Sequence, residues 1–144
     1  MQRLGQVLIA LMILVPTVAL AGPSEDVAAV VDHWAKAFNA NAVNALAKLY
    51  APDAVLIGPA GSTVVEGSDT IRKYYSRLEN SGDKVKMDVR KAVVLDDNAA
   101  YVAGFDEFTA VRDGQTQTSS NGFTMVLVKR GNEWLIAHQH SSRR

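Results

Sequence analysis

The stretch Arg-Gly-Asn-Glu-Trp-Leu-Ile-Ala-His-Gln-His-Ser-Ser, residues 130–142, has the pattern of a turn followed by the last strand of a sheet. Side chains alternate between the two faces of a strand. A regular strand therefore places Trp134, Ile136, His138 and His140 on one face. That face changes from apolar to titratable along its length, as the wall of a cavity would. We expect the rest of the chain to enclose it.

Three long strands are predicted immediately before this stretch. Residues 84–89 alternate cleanly between polar and apolar side chains, which is typical of a strand with one solvated face. Residues 99–111 and 115–129 are joined by Asp113-Gly114, a strong hairpin signal. Together with the last strand they predict an antiparallel meander.

The chain from residue 22 to about residue 78 has mostly helical periodicity. A first helix opens at Ser24 and carries one apolar stripe, namely Val27, Val30, Val31, Trp34 and Phe38. A second helix with Leu46 and Tyr50 on its apolar side is expected to stop at Pro52. A short hairpin over 54–66 separates it from a third helix that opens at residue 67. Three helices on one face of a curved antiparallel sheet make an α+β domain.

Residues 1–21 have the features of a secretory signal peptide. Arg3 provides the positive charge, an apolar run follows, and Ala19-Leu20-Ala21 is a small-x-small cleavage site. We therefore predict cleavage after Ala21 and a periplasmic or secreted protein with no membrane attachment after cleavage. The single domain is expected to span 22–144.

Composition excludes several classes of function. Apolar residues make up 48% of the chain, enough for a packed core, and the formal net charge is zero. There is no Lys/Arg stripe, so nucleic acid is not an expected partner. The chain has no cysteine, which excludes disulfides and thiol chemistry. No Gly-rich dinucleotide motif is present, and no cofactor is expected.

Four segments in this order resemble the nuclear transport factor 2-like superfamily. They are Trp34-x-x-Ala37-Phe38-Asn39, Leu46-x-x-Leu49-Tyr50-Ala51-x-Asp53-Ala54, Gly67-x-x-x-Ile71-x-x-Tyr74-Tyr75, and Arg130-Gly131-x-x-Trp134-x-Ile136-x-His138-x-His140-Ser141. The superfamily includes ketosteroid isomerase, SnoaL-like polyketide cyclases and a kinase association domain, and the last segment is similar to a bacterial subgroup labelled SgcJ/EcaC-type. The resemblance implies a cone-shaped fold, a pocket between helices and sheet, and a homodimer. It implies no particular activity.

The catalytic set of ketosteroid isomerase does not carry over to this sequence. That enzyme uses a carboxylate base with a Tyr and a protonated Asp as oxyanion donors. The matching positions here hold Gly58 for the base and Trp34 for the Tyr, and residues 121–124 include no acid. We therefore reject steroid isomerisation by that mechanism.

His138, His140 and Glu107 are the candidate catalytic residues. Two imidazoles at i and i+2 lie about 6–7 Å apart on a strand, and either could act as a general base. Glu107 joins them if Tyr101 and Phe105 face the interior, whereas Asp106 then faces outward. The alternative is that the histidines are ordinary polar wall residues. A metal site lacks a clear third ligand, so none is predicted.

Six aromatic residues are candidates to line a pocket, although the same spacing suits a simple core. They are Trp34, Tyr50, Tyr74, Phe105, Phe123 and Trp134. Two functions follow. The first is binding of a small apolar or aromatic molecule. The alternative is an isomerase, cyclase or hydratase that uses His138 or His140 with Glu107 or Asp106. A homodimer is predicted through a mixed polar face that carries Thr116, Thr118, Val126 and Val128.

Overall fold

The computed structural model describes residues 22–144, so the predicted signal segment lies outside the described residues. The helices are α1 (Pro23–Asn39), α2 (Val43–Ala47) and α3 (Ser68–Tyr75), and one 3-10 turn (Ser76–Leu78) follows α3. The strands are β1 (Tyr50–Ile57), β2 (Val64–Glu66), β3 (Lys84–Asp96), β4 (Ala99–Arg112), β5 (Gln115–Arg130) and β6 (Glu133–Arg143). The predicted α+β class and the order of helices and strands are confirmed.

The six strands form one sheet in the order β2-β1-β6-β5-β4-β3. The four long strands are antiparallel, as predicted. β1 also pairs with β6, and this pairing is parallel, so the sheet is mixed rather than purely antiparallel. The parallel pair places the end of β1 beside β6, next to the loop that joins β1 to β2.

The second helix is shorter than the sequence predicted. It ends at Ala47, and Tyr50 already belongs to β1. Pro52 lies in the irregular section of β1, where the register with β6 shifts between Tyr50 and Val55. A proline is tolerated there because that section donates no ladder hydrogen bond. Pro52 therefore lies within an irregular strand instead of stopping a helix.

The core lies between α1 and one face of the sheet, here called the inner face. The predicted stripe of α1 is buried in full, namely Val27, Val30, Val31, Trp34 and Phe38. It packs on inner-face residues that include Val102, Phe123, Met125, Leu127 and Ile136. Asn39 ties the end of α1 to β3, because its side-chain amide donates to Val85 O at 2.8 Å and accepts from Val85 N at 2.7 Å.

A β-bulge in β6 changes which side chains face inward. Ile136 pairs with Leu127 and His138 pairs with the next residue of β5, Val126, so Ala137 has no partner on β5. The extra residue shifts the alternation by one position. Gln139 and Ser141 are consequently buried on the inner face, while His140 is exposed on the opposite, outer face. The prediction that Trp134, Ile136, His138 and His140 share one face is wrong, since it assumed a regular strand.

Within residues 22–144, no helix is both long enough and apolar enough to cross a membrane.

Candidate functional site

A cavity of about 340 Å³ opens between α1, α3 and the ends of the long strands. Its apolar wall consists of Trp34 and Phe38 from α1, Leu56 from β1 and Phe108 from β4. The ring centroids of Phe38 and Phe108 are 5.2 Å apart in an edge-on arrangement, so these rings form a continuous surface. Gly58, directly after β1, and Tyr74 of α3 also border the cavity.

A buried hydrogen-bond network lies at the deep end of the cavity. The Trp34 indole N–H donates to the Tyr50 hydroxyl at 2.8 Å, and the Tyr50 hydroxyl is 3.0 Å from that of Tyr75. Tyr50 also donates to the side-chain carbonyl of Gln139. Burial raises the pKa of Tyr50 and that of Tyr75 well above the ordinary tyrosine value. Both hydroxyls therefore stay protonated and neutral, and the network fixes the orientation of Gln139.

The mouth of the cavity is polar. Asp83, which is buried, accepts two hydrogen bonds from Arg112, of 2.8 and 2.9 Å. Arg77 and Arg143 also line the mouth, together with Gln117, Thr118 and Ser119. The arrangement joins an aromatic interior to an edge rich in hydrogen-bond donors.

The candidate catalytic residues lie away from this cavity. His138 and His140 are on the outer face because of the bulge at Ala137. Glu107 is also exposed on the outer face, because the even-numbered residues of β4 are the ones that face inward. The expectation that Glu107 and the histidines face the interior is wrong, and catalysis by them stays a prediction that does not involve this cavity. The inward-facing acid of the pair is Asp106, which is 4% exposed.

The six candidate pocket aromatics separate into three groups. Trp34 and Tyr74 line the cavity, and Tyr50 lies directly behind its wall. Phe123 is in the core at 4% exposure. Phe105 and Trp134 lie elsewhere. Phe105 is 40% exposed on the outer face beneath the Arg144 guanidinium, and Trp134 borders an open groove beside α1.

Sequence reasoning missed the polar cavity residues Gln139 and Ser141. They alternate with His138 and His140 along β6, so only one of the two pairs can face inward. The bulge decides that this pair is Gln139 and Ser141. Phe108 was also missed, although it has the same parity as Val102 and the buried Asp106. The helical spacing did place Trp34 and Phe38 correctly on the buried stripe of α1, because this helix has no irregularity comparable to the bulge in β6.

Asp106 is buried on the inner face beside Asn121. The Asn121 side-chain amide donates to Asp106 Oδ1 at 2.9 Å, while Asn121 Oδ1 is buried with no hydrogen-bond partner. Burial raises the pKa of Asp106, and the hydrogen bond from Asn121 offsets the rise only in part. A proton on Asp106 would supply a donor beside the unsatisfied carbonyl oxygen of Asn121.

Asp106→Asn is therefore expected to stabilise the domain at neutral pH by about 1 kcal/mol, because it removes a buried charge and adds an amide donor. A raised pKa means that the folded state binds the proton on Asp106 more tightly than the unfolded state does. At acidic pH the carboxyl is protonated and the folded wild type carries no buried charge there. As pH rises through the folded-state pKa, the carboxyl ionises and the wild type loses stability. The advantage of the variant should grow with pH in urea unfolding from pH 4 to 8. Glu107→Gln, on the outer face, is the control. A constant difference from wild type at every pH would contradict the argument.

Within residues 22–144, no three His, Asp or Glu side chains approach closely enough to hold a metal ion.

The helices on one face of a curved mixed sheet, with a cavity between them, define the cone-shaped fold of the nuclear transport factor 2-like superfamily. The sequence model of the SnoaL-like domain family matches residues 27–143. The chain belongs to that family. No curated protein gives a significant match.

Solved structures with this fold are similar along most of the chain. One from Xanthomonas campestris, named as a candidate calcium/calmodulin-dependent protein kinase II association domain, is 31% identical with a TM-score of 0.78, covering 93% of this chain and 98% of its own. A ketosteroid isomerase-like protein from Erwinia carotovora atroseptica is 21% identical with a TM-score of 0.75, covering 83% and 95%. A candidate scytalone dehydratase from Novosphingobium aromaticivorans is 12% identical with a TM-score of 0.76, covering 83% of each chain. The last two similarities extend to the fold alone.

Proposed function

We propose that this domain binds a small apolar or aromatic molecule in the cavity between α1, α3 and the inner face. The observation that supports the proposal is the composition of the cavity wall. Aromatic rings form its interior, and a few fixed polar groups, led by Gln139, stand at one side. Small-molecule sites commonly combine an apolar lining with a small number of placed polar groups, in volumes from about 300 Å³ upward.

Binding is favoured over the isomerase, cyclase or hydratase alternative by the location of the acids and bases. General base catalysis needs a group within hydrogen-bond reach of the substrate proton. Among the described residues, the carboxylate on the cavity wall is that of Asp83, and Arg112 already engages both of its oxygens. The histidines of the alternative mechanism are on the other side of the sheet.

The test is thermal unfolding of residues 22–144 with a panel of apolar and aromatic ligands. A ligand at 100 times its Kd should stabilise the domain by about 2.7 kcal/mol, or very roughly 6–12 °C. Ala110→Phe, which fills the cavity from β4, should abolish the shift.

The double variant His138→Ala/His140→Ala is the matched control, and it should keep the full shift because both side chains are on the outer face. A shift that survives Ala110→Phe but disappears in the histidine variant would contradict the proposal and place the site on the outer face.

We also propose that the protein acts in the periplasm or outside the cell. The support is the charged start, apolar run and small-x-small site within residues 1–21. Expression of the full sequence in a Gram-negative host followed by mass spectrometry of the periplasmic fraction tests this. A mature species that begins at Gly22 is expected, and a cytoplasmic protein that retains Met1 or Gln2 would contradict it.

A homodimer through the outer face is the proposed assembly. The outer face exposes Phe105 near Thr124 and His140, and the Xanthomonas campestris relative is named as an association domain. Sedimentation velocity of wild type and Phe105→Lys provides the test. A wild-type monomer would refute the dimer, and a dimer unaffected by Phe105→Lys would move its interface elsewhere.

A further inference from the structure

The wall of the cavity carries an excess of positive charge. Three arginines line it, Arg77, Arg112 and Arg143, against a single acid, Asp83. The bidentate contact between Asp83 and Arg112 makes that pair neutral, so Arg77 and Arg143 remain as the excess. The formal net charge of the chain is zero, and the positive charge at the mouth is therefore a local feature.

Both remaining arginines have free donor capacity. Within residues 22–144, neither Arg77 nor Arg143 forms an ion pair. The Arg77 guanidinium lies 4.9 Å from the centre of the Tyr74 ring and donates to the Tyr74 hydroxyl at 3.4 Å, which holds it against the cavity border. Arg143 follows Gln139 and Ser141 on the inner face of β6. Guanidinium groups present paired donors that match a carboxylate.

Ser141 supplies an independent indication of a ligand. It is 3% exposed, it lines the cavity, and its hydroxyl has no hydrogen-bond partner among the described residues. Buried polar groups are rarely left unpaired, so each such group in a native structure needs an explanation. Gln139, Ser141 and Arg143 alternate along one strand face and form a polar row from the deep end to the mouth.

We propose that the cavity is built for a small carboxylic acid, with an aromatic or other apolar body against Trp34 and Phe108 and its carboxylate between Arg77 and Arg143. Ser141 then donates to a polar atom of the bound ligand. Arg112 stays paired with Asp83 and shapes the mouth. This inference rests on the proposed binding function and specifies the ligand class for the same site.

The experiment compares near-isosteric acids and amides by isothermal titration calorimetry on residues 22–144. Benzoate, cinnamate and naphthoate are each paired with the corresponding neutral amide. The best acid should bind at least about tenfold more tightly than its amide, as expected for a charge-assisted bidentate contact. Arg77→Gln/Arg143→Gln should remove that preference by weakening the binding of the acid far more than the binding of the amide. Arg72→Gln/Arg130→Gln has the same change in net charge outside this cavity, and it should keep the preference.

Each outcome decides between the two proposals. Equal binding of acid and amide would overturn the carboxylate inference and leave the apolar binding function standing. Equal losses in the two double variants would also overturn it, because the effect would then come from net charge. Binding of neither acids nor amides would contradict the binding function itself, and the carboxylate inference would fall with it.

Discussion

Trp34→Ala is expected to lower the free energy of unfolding by about 3–5 kcal/mol, the usual cost of deleting a large buried side chain. Trp34 is 1% exposed, and its ring centroid lies 5.3 Å from that of Phe38 and 6.4 Å from that of Phe108. Its loss would leave a void and would remove the indole donor of the Tyr50 hydroxyl. Since small domains are stable by only about 5–15 kcal/mol, urea unfolding followed by circular dichroism should show a large shift of the midpoint.

Trp134→Ala is the matched control, because it deletes the same side chain at a half-buried position beside a separate groove. Its cost should be clearly smaller. A Trp34→Ala cost no greater than that of Trp134→Ala would show that the aromatic wall contributes little to the core.

The contribution of the Trp34–Tyr50 hydrogen bond can be separated from packing by a double-mutant cycle. Trp34→Phe keeps most of the ring and removes the donor, whereas Tyr50→Phe removes the acceptor and also the contacts of its hydroxyl with Tyr75 and Gln139. Tyr50→Phe leaves the buried indole N–H of Trp34 without its acceptor, which costs about 1–3 kcal/mol. In Trp34→Phe the Tyr50 hydroxyl keeps its contacts with Tyr75 and Gln139. The double variant should therefore cost less than the sum of the single ones. Strict additivity would argue against an energetic role for the bond.

Periodicity in the sequence predicted the helices and the meander because those elements are long and regular. The apolar stripe of α1 and the Asp113-Gly114 turn each carry a strong local signal. The boundary between α2 and β1 was predicted incorrectly because Leu49 and Tyr50 suit a helix stripe equally well. Tertiary pairing with β6 decided it, since Ile136 N donates to Leu49 O at 2.8 Å and Tyr50 pairs with Ile136.

The candidate site was predicted less well, and one residue accounts for most of the error. A strand has a period of two, so a single unpaired residue reverses every later assignment to a face. The local sequence Leu135-Ile136-Ala137-His138 has no feature that predicts the bulge. The bulge lies where β6 pairs with β5 on one side and with the irregular section of β1 on the other. The histidines were consequently expected inside and Gln139 outside, the reverse of the structure.

A second bulge, in β3, leads to the other large expected effect. Met87 pairs with Asp106 and Arg90 pairs with Gly104, so two residues of β3 face one residue of β4. The bulge brings β3 so close to β4 that a Cβ atom at Gly104 would lie 2.4 Å from Val89 O and 2.8 Å from Arg90 Cα. Both are backbone atoms and cannot rotate away. Gly104→Ala is therefore expected to destabilise the domain by about 3 kcal/mol, near the upper end of the usual cost of overpacking.

Gly122→Ala is the control for Gly104→Ala, because both glycines lie within the sheet on adjacent strands. A Cβ atom at Gly122 would meet only the Phe105 ring at 3.8 Å, an ordinary contact. That variant should be neutral or slightly stabilising, by up to about 1 kcal/mol, since alanine restricts the unfolded chain more than glycine does. Urea unfolding of both variants measures the difference. If Gly104→Ala is clearly less stable than Gly122→Ala, then the close approach of the bulged strand β3 requires a glycine at position 104. The curvature of the sheet around α1 would then depend on Gly104. Equal effects at the two glycines would instead show that β3 moves readily and that the bulge does not fix the bend.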